Sequence, residues 1–145
     1  CERSNEIRVM QTSNDSLVGI IPVPDSPQEM SLSKTSNYLF ASCTNDSISN
    51  PGLIGSVAVI DRSTFAVIKN IHTGFQPHGI AVDDARRLVY VANMNISAKG
   101  PAPHCTNVCG GRNGYVTFID MNTLLLVPNK KIEISVNPYS IAIRE

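Results

Sequence analysis

GFQPHGIAVDDARRLVYVANMN, residues 74–95, decides how this chain is read. It holds two short runs rich in β-branched and aromatic residues, IAV at 80–82 and LVYVAN at 88–93. Such runs suit a pleated, partly buried strand. Between them lies DDARR, which reads as a tight turn because Asp bonds its own backbone and tolerates turn dihedrals. Just upstream, SVAVID at 56–61 and FAVIKNI at 65–71 have the same character. No stretch keeps a helical period of 3.6. The unit is therefore expected to hold four short strands.

The unit repeats. A first copy runs from Ile7 to Cys43, a second from Val57 to Asn93, and a third from Val116 stops partway. Gln11 to Pro27 and Asp61 to Pro77 each span 16 residues, and Asp120 to Pro138 spans 18. Pro27 to Phe40 and Pro77 to Tyr90 each span 13. One arm is elastic: Cys1 to Gln11 is 10 residues, Cys43 to Asp61 is 18, and Asn93 to Asp120 is 27. A core unit of about 42 residues with four antiparallel strands matches a propeller blade, not a helical solenoid. The expected fold is an all-β partial β-propeller, about two whole blades with partial blades on either side. As one incomplete domain it divides into a partial blade over 1–27, a blade over 28–76 with an insertion at 44–55, a blade over 77–137 with an insertion at 94–114, and the start of another at 138–145.

Composition narrows the function classes. The 145 residues are 42% hydrophobic and 17% charged, with no formal net charge. That balance supplies no basic stripe for phosphate backbones, so nucleic acid is not the expected partner. No apolar run approaches the roughly 20 residues of a spanning helix, so no membrane span is expected in this chain.

The segments GFQPHGIAVDDARRLVYVANMN and GSVAVIDRSTFAVIKNI resemble the YVTN repeat of bacterial and archaeal β-propellers. Those units read roughly PxGIAV, LYVAN, VSVID and VVxTIxVG. The first repeat departs from the pattern, with Met10 and Gln11 in place of the usual Ile and Asp. The resemblance implies lactonase-like propellers, commonly seven-bladed, at a periplasmic, cell-surface or secreted address. It also implies a strand order from the innermost PxGIAV strand outward. The elastic segments then share one face with the HTGFQPHG and VPDSPQ connectors, and that face is where function is sought. Cys1 aligns with Cys43 and Asn93 at the end of a second strand, so both cysteines are expected to be small buried residues. From this register Cys1 is expected to be a residue inside a blade and not a lipid anchor.

Several residues are candidates for ligand binding: His78, Asn93, His104 and Arg112. His78 falls at the mouth of an inner strand, where an imidazole can bind a ligand, act as a base or satisfy nearby backbone. Cys105 and Cys109, with three residues between them in PAPHCTNVCGGRNG, could bridge, remain thiols, or join His78 and His104 around a metal. A second cysteine pair of zinc-site spacing is absent. No cofactor is implied and no catalytic residue is assigned. Asp61 and Asp120 are expected to accept N–H bonds from the turns that follow them. Asp83 and Asp84 open a turn on the other face, and Arg86, Arg87 and His72 read as solvated.

The expected function is binding or scaffolding, with a protein, glycan or small ligand held by the insertion face. The alternative is a metal-assisted hydrolase or redox-associated propeller with its site at the channel mouth.

Overall fold

The computed structural model describes residues 1–95 and 113–144. They form eleven strands in three antiparallel sheets and contain no helix. The first sheet pairs β1 (Glu6–Met10) with β2 (Leu17–Pro22). The second runs in chain order through β3 (Pro27–Leu32), β4 (Tyr38–Cys43), β5 (Ser56–Asp61) and β6 (Ala66–Ile71). The third holds β7 (Pro77–Asp83), β8 (Leu88–Asn93) and β9 (Asn113–Asp120), with β10 (Leu125–Leu126) and β11 (Ile132–Val136) both pairing β9.

β10 and β11 are one outer strand broken in the middle. Leu126 pairs Ile119, Val127 N still donates to the Phe118 carbonyl at 2.8 Å, and Ile132 pairs Val116, so residues 128–131 bulge out of the ladder. The third repeat is two residues longer between its Asp and Pro anchors, and this bulge is where the extra length goes.

The central strands of the middle sheet, β4 and β5, are buried on both faces, and side-chain alternation shows how. Val57 and Val59 of β5, with Phe40 of β4, pack against Ile80, Val89, Val91 and Ile119 of the third sheet. Their neighbours Ala58 and Ile60, with Ala41 and Cys43, pack against Ile7, Ile21 and Val23 of the first. Strands sandwiched this way need no polar alternation, which explains the unbroken apolar run of residues 57–60. The outer strand β6 has less cover: Ala66 to Lys69 alternate exposed with partly buried residues, and only Ile71 is buried. Phe40 is fully buried, and truncating such a side chain to Ala costs about 3–5 kcal/mol.

The repeat extends to the backbone. Asp15, Phe65 and Leu124, each four residues after Gln11, Asp61 or Asp120, have φ of 54°, 55° and 52°. Ser26, Gln76 and Asn137, each just before the proline anchor, have φ of 58°, 46° and 49°. Left-handed φ is uncommon outside glycine, so its recurrence at matching places marks a shared turn geometry.

Polar contacts tie β3, β4 and the residue after β4 to β7 of the next blade. Ser42 Oγ donates to the His78 carbonyl at 2.6 Å and Thr44 Oγ1 donates to the Pro77 carbonyl at 3.0 Å. Val82 N donates to Ser31 Oγ at 3.1 Å. The Asp61 and Asp120 carboxylates do accept from the following turns, through Ser63 N at 2.8 Å and Asn122 N at 2.7 Å.

Two expectations are corrected here. Cys43 is buried, but Cys1 is exposed, because residues 1–5 belong to no strand and no sheet face covers them. His72 is not merely solvated: its Nδ1 lies 2.9 Å from the Gly55 carbonyl. A carbonyl only accepts, so Nδ1 carries the proton.

Candidate functional site

Two groups of side chains converge on the face that carries the loops. The first forms where the inner strands begin. Gln28, His78 and Tyr139 each follow a proline anchor, so they hold equivalent places in successive blades. His78 is 5% exposed, and its ring lies 3.8 Å from that of Tyr139, tilted by 35°. Its Nδ1 is 3.6 Å from Glu29 Oε1, close enough for charge attraction but too long for a hydrogen bond, so the atom has no hydrogen-bond partner. The same carboxylate receives Ser140 Oγ at 3.4 Å through its other oxygen. Glu29 thus spans from its own blade across β7 to residue 140. Gly79 makes this possible: a Cβ there would sit 2.7 Å from Ser140 Cα and 2.8 Å from Ile141 N.

The second group lines a cleft of about 550 Å³. One wall is Leu53 and Ile54 from the 44–55 insertion, another is the connector His72 to Phe75, and the third is Tyr115, Leu126 and Lys131 of the third sheet. The insertion wall is anchored by Asp46. Its Oδ1 accepts from Ile48 N at 3.1 Å and Ser49 N at 3.0 Å, while Oδ2 accepts from Ser56 Oγ at 2.5 Å. Gln76 N donates to the Ile54 carbonyl at 3.1 Å, which ties the insertion to the connector. Burial acts to raise the Asp46 pKa, yet the bonds from Ser56, Ser49 and Ile48 outweigh it and hold the carboxyl below its usual range.

Tyr115 forms the floor. It is 3% exposed, and its Oη accepts from Phe75 N at 3.0 Å. Burial pushes its phenol up, with the Phe75 bond opposing, so the hydroxyl keeps its proton at neutral pH. Lys131 holds its Nζ 5.4 Å from the centre of the Tyr115 ring, a cation–π arrangement. Gly74 lets the connector lie this close, since a Cβ there would meet Tyr115 Oη at 2.5 Å and Asn93 Oδ1 at 2.7 Å.

Of the candidates from sequence, His78 stands at the inner-strand mouth in contact with Tyr139 and facing Glu29. Asn93 is fully buried. Its Nδ2 donates to Thr117 Oγ1 at 2.9 Å and to the Val91 carbonyl at 3.0 Å, and its Oδ1 accepts from Thr73 Oγ1 at 3.1 Å. Those bonds occupy the amide inside the sheet, behind the cleft. His104, Cys105, Cys109 and Arg112 lie outside the described residues, and so does the proposed Cys105–Cys109 bridge. Among the described residues, no three His, Cys, Asp or Glu side chains gather as a metal site.

Sequence reasoning missed Glu29, Tyr115, Tyr139 and Lys131. Register offers a signal for Tyr139, which shares its place after the proline with His78. The two extra residues of the third repeat offer one for Lys131, which sits at the end of the bulge they create.

No protein-family model matches the chain, and no curated protein matches it. Among solved structures, hydrazine synthase from Kuenenia stuttgartiensis is similar at a TM-score of 0.65 and 19% identity, over 95% of this chain. The chain spans about a third of that protein's length, 32%. That structure contains a β-propeller. No helix among the described residues is long and apolar enough to cross a membrane. With its helix-free sets of antiparallel strands, the chain is a partial β-propeller.

Proposed function

We propose that this chain belongs to an extracytoplasmic binding propeller of the YVTN-repeat, lactonase-like kind, and that its loop-bearing face holds a ligand. One observation carries the reading: the 550 Å³ cleft whose walls come from the insertion, the inter-blade connector and the third sheet. That volume suits a small molecule, since ligand pockets run from about 300 to 1,000 Å³. Of the partners considered, a small ligand therefore fits this site better than a protein or a glycan chain. The periplasmic, surface or secreted address rests on the resemblance of residues 74–95 to YVTN units.

The test is a small-molecule screen on the intact protein by calorimetry, repeated with Leu53→Asp. Hits that lose binding in Leu53→Asp support the reading, and hits indifferent to it place the ligand elsewhere. Fractionation of the native host tests the address, and recovery in the cytoplasm overturns it.

A metal-assisted hydrolase at the channel mouth is the second reading, favoured by the approach of His78 to Glu29. Two protein donors are fewer than the three usual for catalytic zinc, and the binding reading has the larger support.

A further inference from the structure

The cleft has a charge character as well as a shape. Leu53, Ile54, Phe75 and Leu126 give it apolar walls, and none of its lining residues is acidic. Its polar groups lean toward donors. Lys131 brings an ammonium, exposed at the rim and drawn toward the Tyr115 ring. Tyr115 Oη accepts from Phe75 N, and no hydrogen bond donated by it is found among the described residues, which leaves its O–H proton for a ligand. A cation and a buried hydroxyl donor beside apolar walls match a molecule with an apolar body and an anionic head.

We propose that the cleft binds a small aromatic or aliphatic monocarboxylate. The carboxylate lies between the Lys131 ammonium and the Tyr115 hydroxyl, and the body rests on Leu53, Phe75 and Leu126. The assignment builds on the binding reading above and adds the ligand class to it. It also gives the bulge at residues 128–131 a role, because the break in the outer strand is what delivers Lys131 to the rim. The insertion, held by Asp46, supplies the opposite wall.

Calorimetric titration of the intact protein with phenylacetate, and separately with uncharged phenylacetamide, tests this. Phenylacetate is expected to bind roughly fivefold more tightly than the amide, the scale of a partly exposed ion pair. Lys131→Met keeps the alkyl stem and is expected to erase that preference, whereas Lys131→Arg retains it. The preference should also shrink as salt is raised. Equal affinity for acid and amide, both lost in Leu53→Asp, overturns the anion assignment and leaves the binding cleft standing. A preference that survives Lys131→Met also overturns it. Failure of both probes to bind overturns the ligand class, and the wider screen with Leu53→Asp then decides the cleft itself.

Discussion

Asp84 of one blade holds Ser33 of the blade before it, with Ser33 Oγ donating to Asp84 Oδ1 at 2.5 Å. The same carboxylate accepts from Lys34 N at 2.7 Å and Thr35 Oγ1 at 2.8 Å, so one side chain gathers the whole β3–β4 turn. Arg87 extends the chain of contacts, donating through Nη1 to Thr35 Oγ1 at 3.1 Å and through Nε to Asn122 Oδ1 at 3.2 Å. Three hairpins, far apart in sequence, are thereby joined on the face opposite the cleft.

Removing this clasp should weaken the interface between two blades. Asp84→Ala leaves the Lys34 N–H and two hydroxyls without their acceptor, and the expected loss is about 1–3 kcal/mol. Urea unfolding of the intact protein measures it. A change under about 0.5 kcal/mol, the range of ordinary surface substitutions, would show that the clasp forms without stabilising.

Acid should loosen the same contacts. Asp84 feels burial, which raises its pKa, but the bonds from Ser33, Lys34 and Thr35 prevail and lower it. Asp46 is lowered in the same way, Asp61 by Ser63, and Asp83 by Arg86 at 2.9 Å. A folded carboxyl with a depressed pKa binds fewer protons than its unfolded counterpart, so its stabilisation is complete above the unfolded value of about 3.9 and fades as pH falls through the folded one. The melting temperature should hold from neutral pH to about 5 and drop below about 4. In the double variant Asp46→Asn, Asp84→Asn that drop should be shallower. An identical pH profile in variant and wild type would refute the assignment to these two groups.

Gly74→Ala tests the packing under the cleft. The new methyl would stand 2.5 Å from Tyr115 Oη and 2.7 Å from Asn93 Oδ1. Overpacking of this kind costs about 1–3 kcal/mol, and the displaced tyrosine should weaken any ligand bound in the cleft. Chemical denaturation and calorimetry on the same sample report both effects. Wild-type stability in the variant would mean that the connector can shift freely.

Thiol labelling distinguishes the two described cysteines. Burial, with Asp46 adding to it, pushes the Cys43 thiol up to about 12, so almost none is thiolate at neutral pH. In a background with Cys105 and Cys109 replaced by Ser, a maleimide should label Cys1 quickly and Cys43 only after denaturation. Rapid native labelling of Cys43 would contradict the packing described for β4.

The sequence carries the repeat plainly because the repeat is local. The bounds of β5 and β8 coincide with the runs SVAVID and LVYVAN, and the turn roles of Asp61 and Asp120 follow from side chains that bond their own neighbourhood. The contacts between blades are different in kind. Asp84 and Ser33 are 51 residues apart, and nothing in the local pattern of DDARR distinguishes a clasp from a solvated turn. Arg87 and His72 read as solvated for the same reason, since their partners belong to other hairpins or to the insertion. The cleft was legible only as a face. Its floor, Tyr115, lies in a strand that looks ordinary in sequence, and its cation arrives through a break in the outer strand.

The two-sided burial of the middle sheet has a consequence for how such a chain can change. Val59 and Ile60 are adjacent in sequence but answer to different neighbours, one through the third sheet and one through the first. Each central strand therefore spells two interleaved messages, and neither can be edited by consulting one neighbour alone. A duplicated blade behaves like a tile with distinct left and right edges: it can be slotted in only where both adjoining edges already match, so lengthening loops is the less constrained path to novelty.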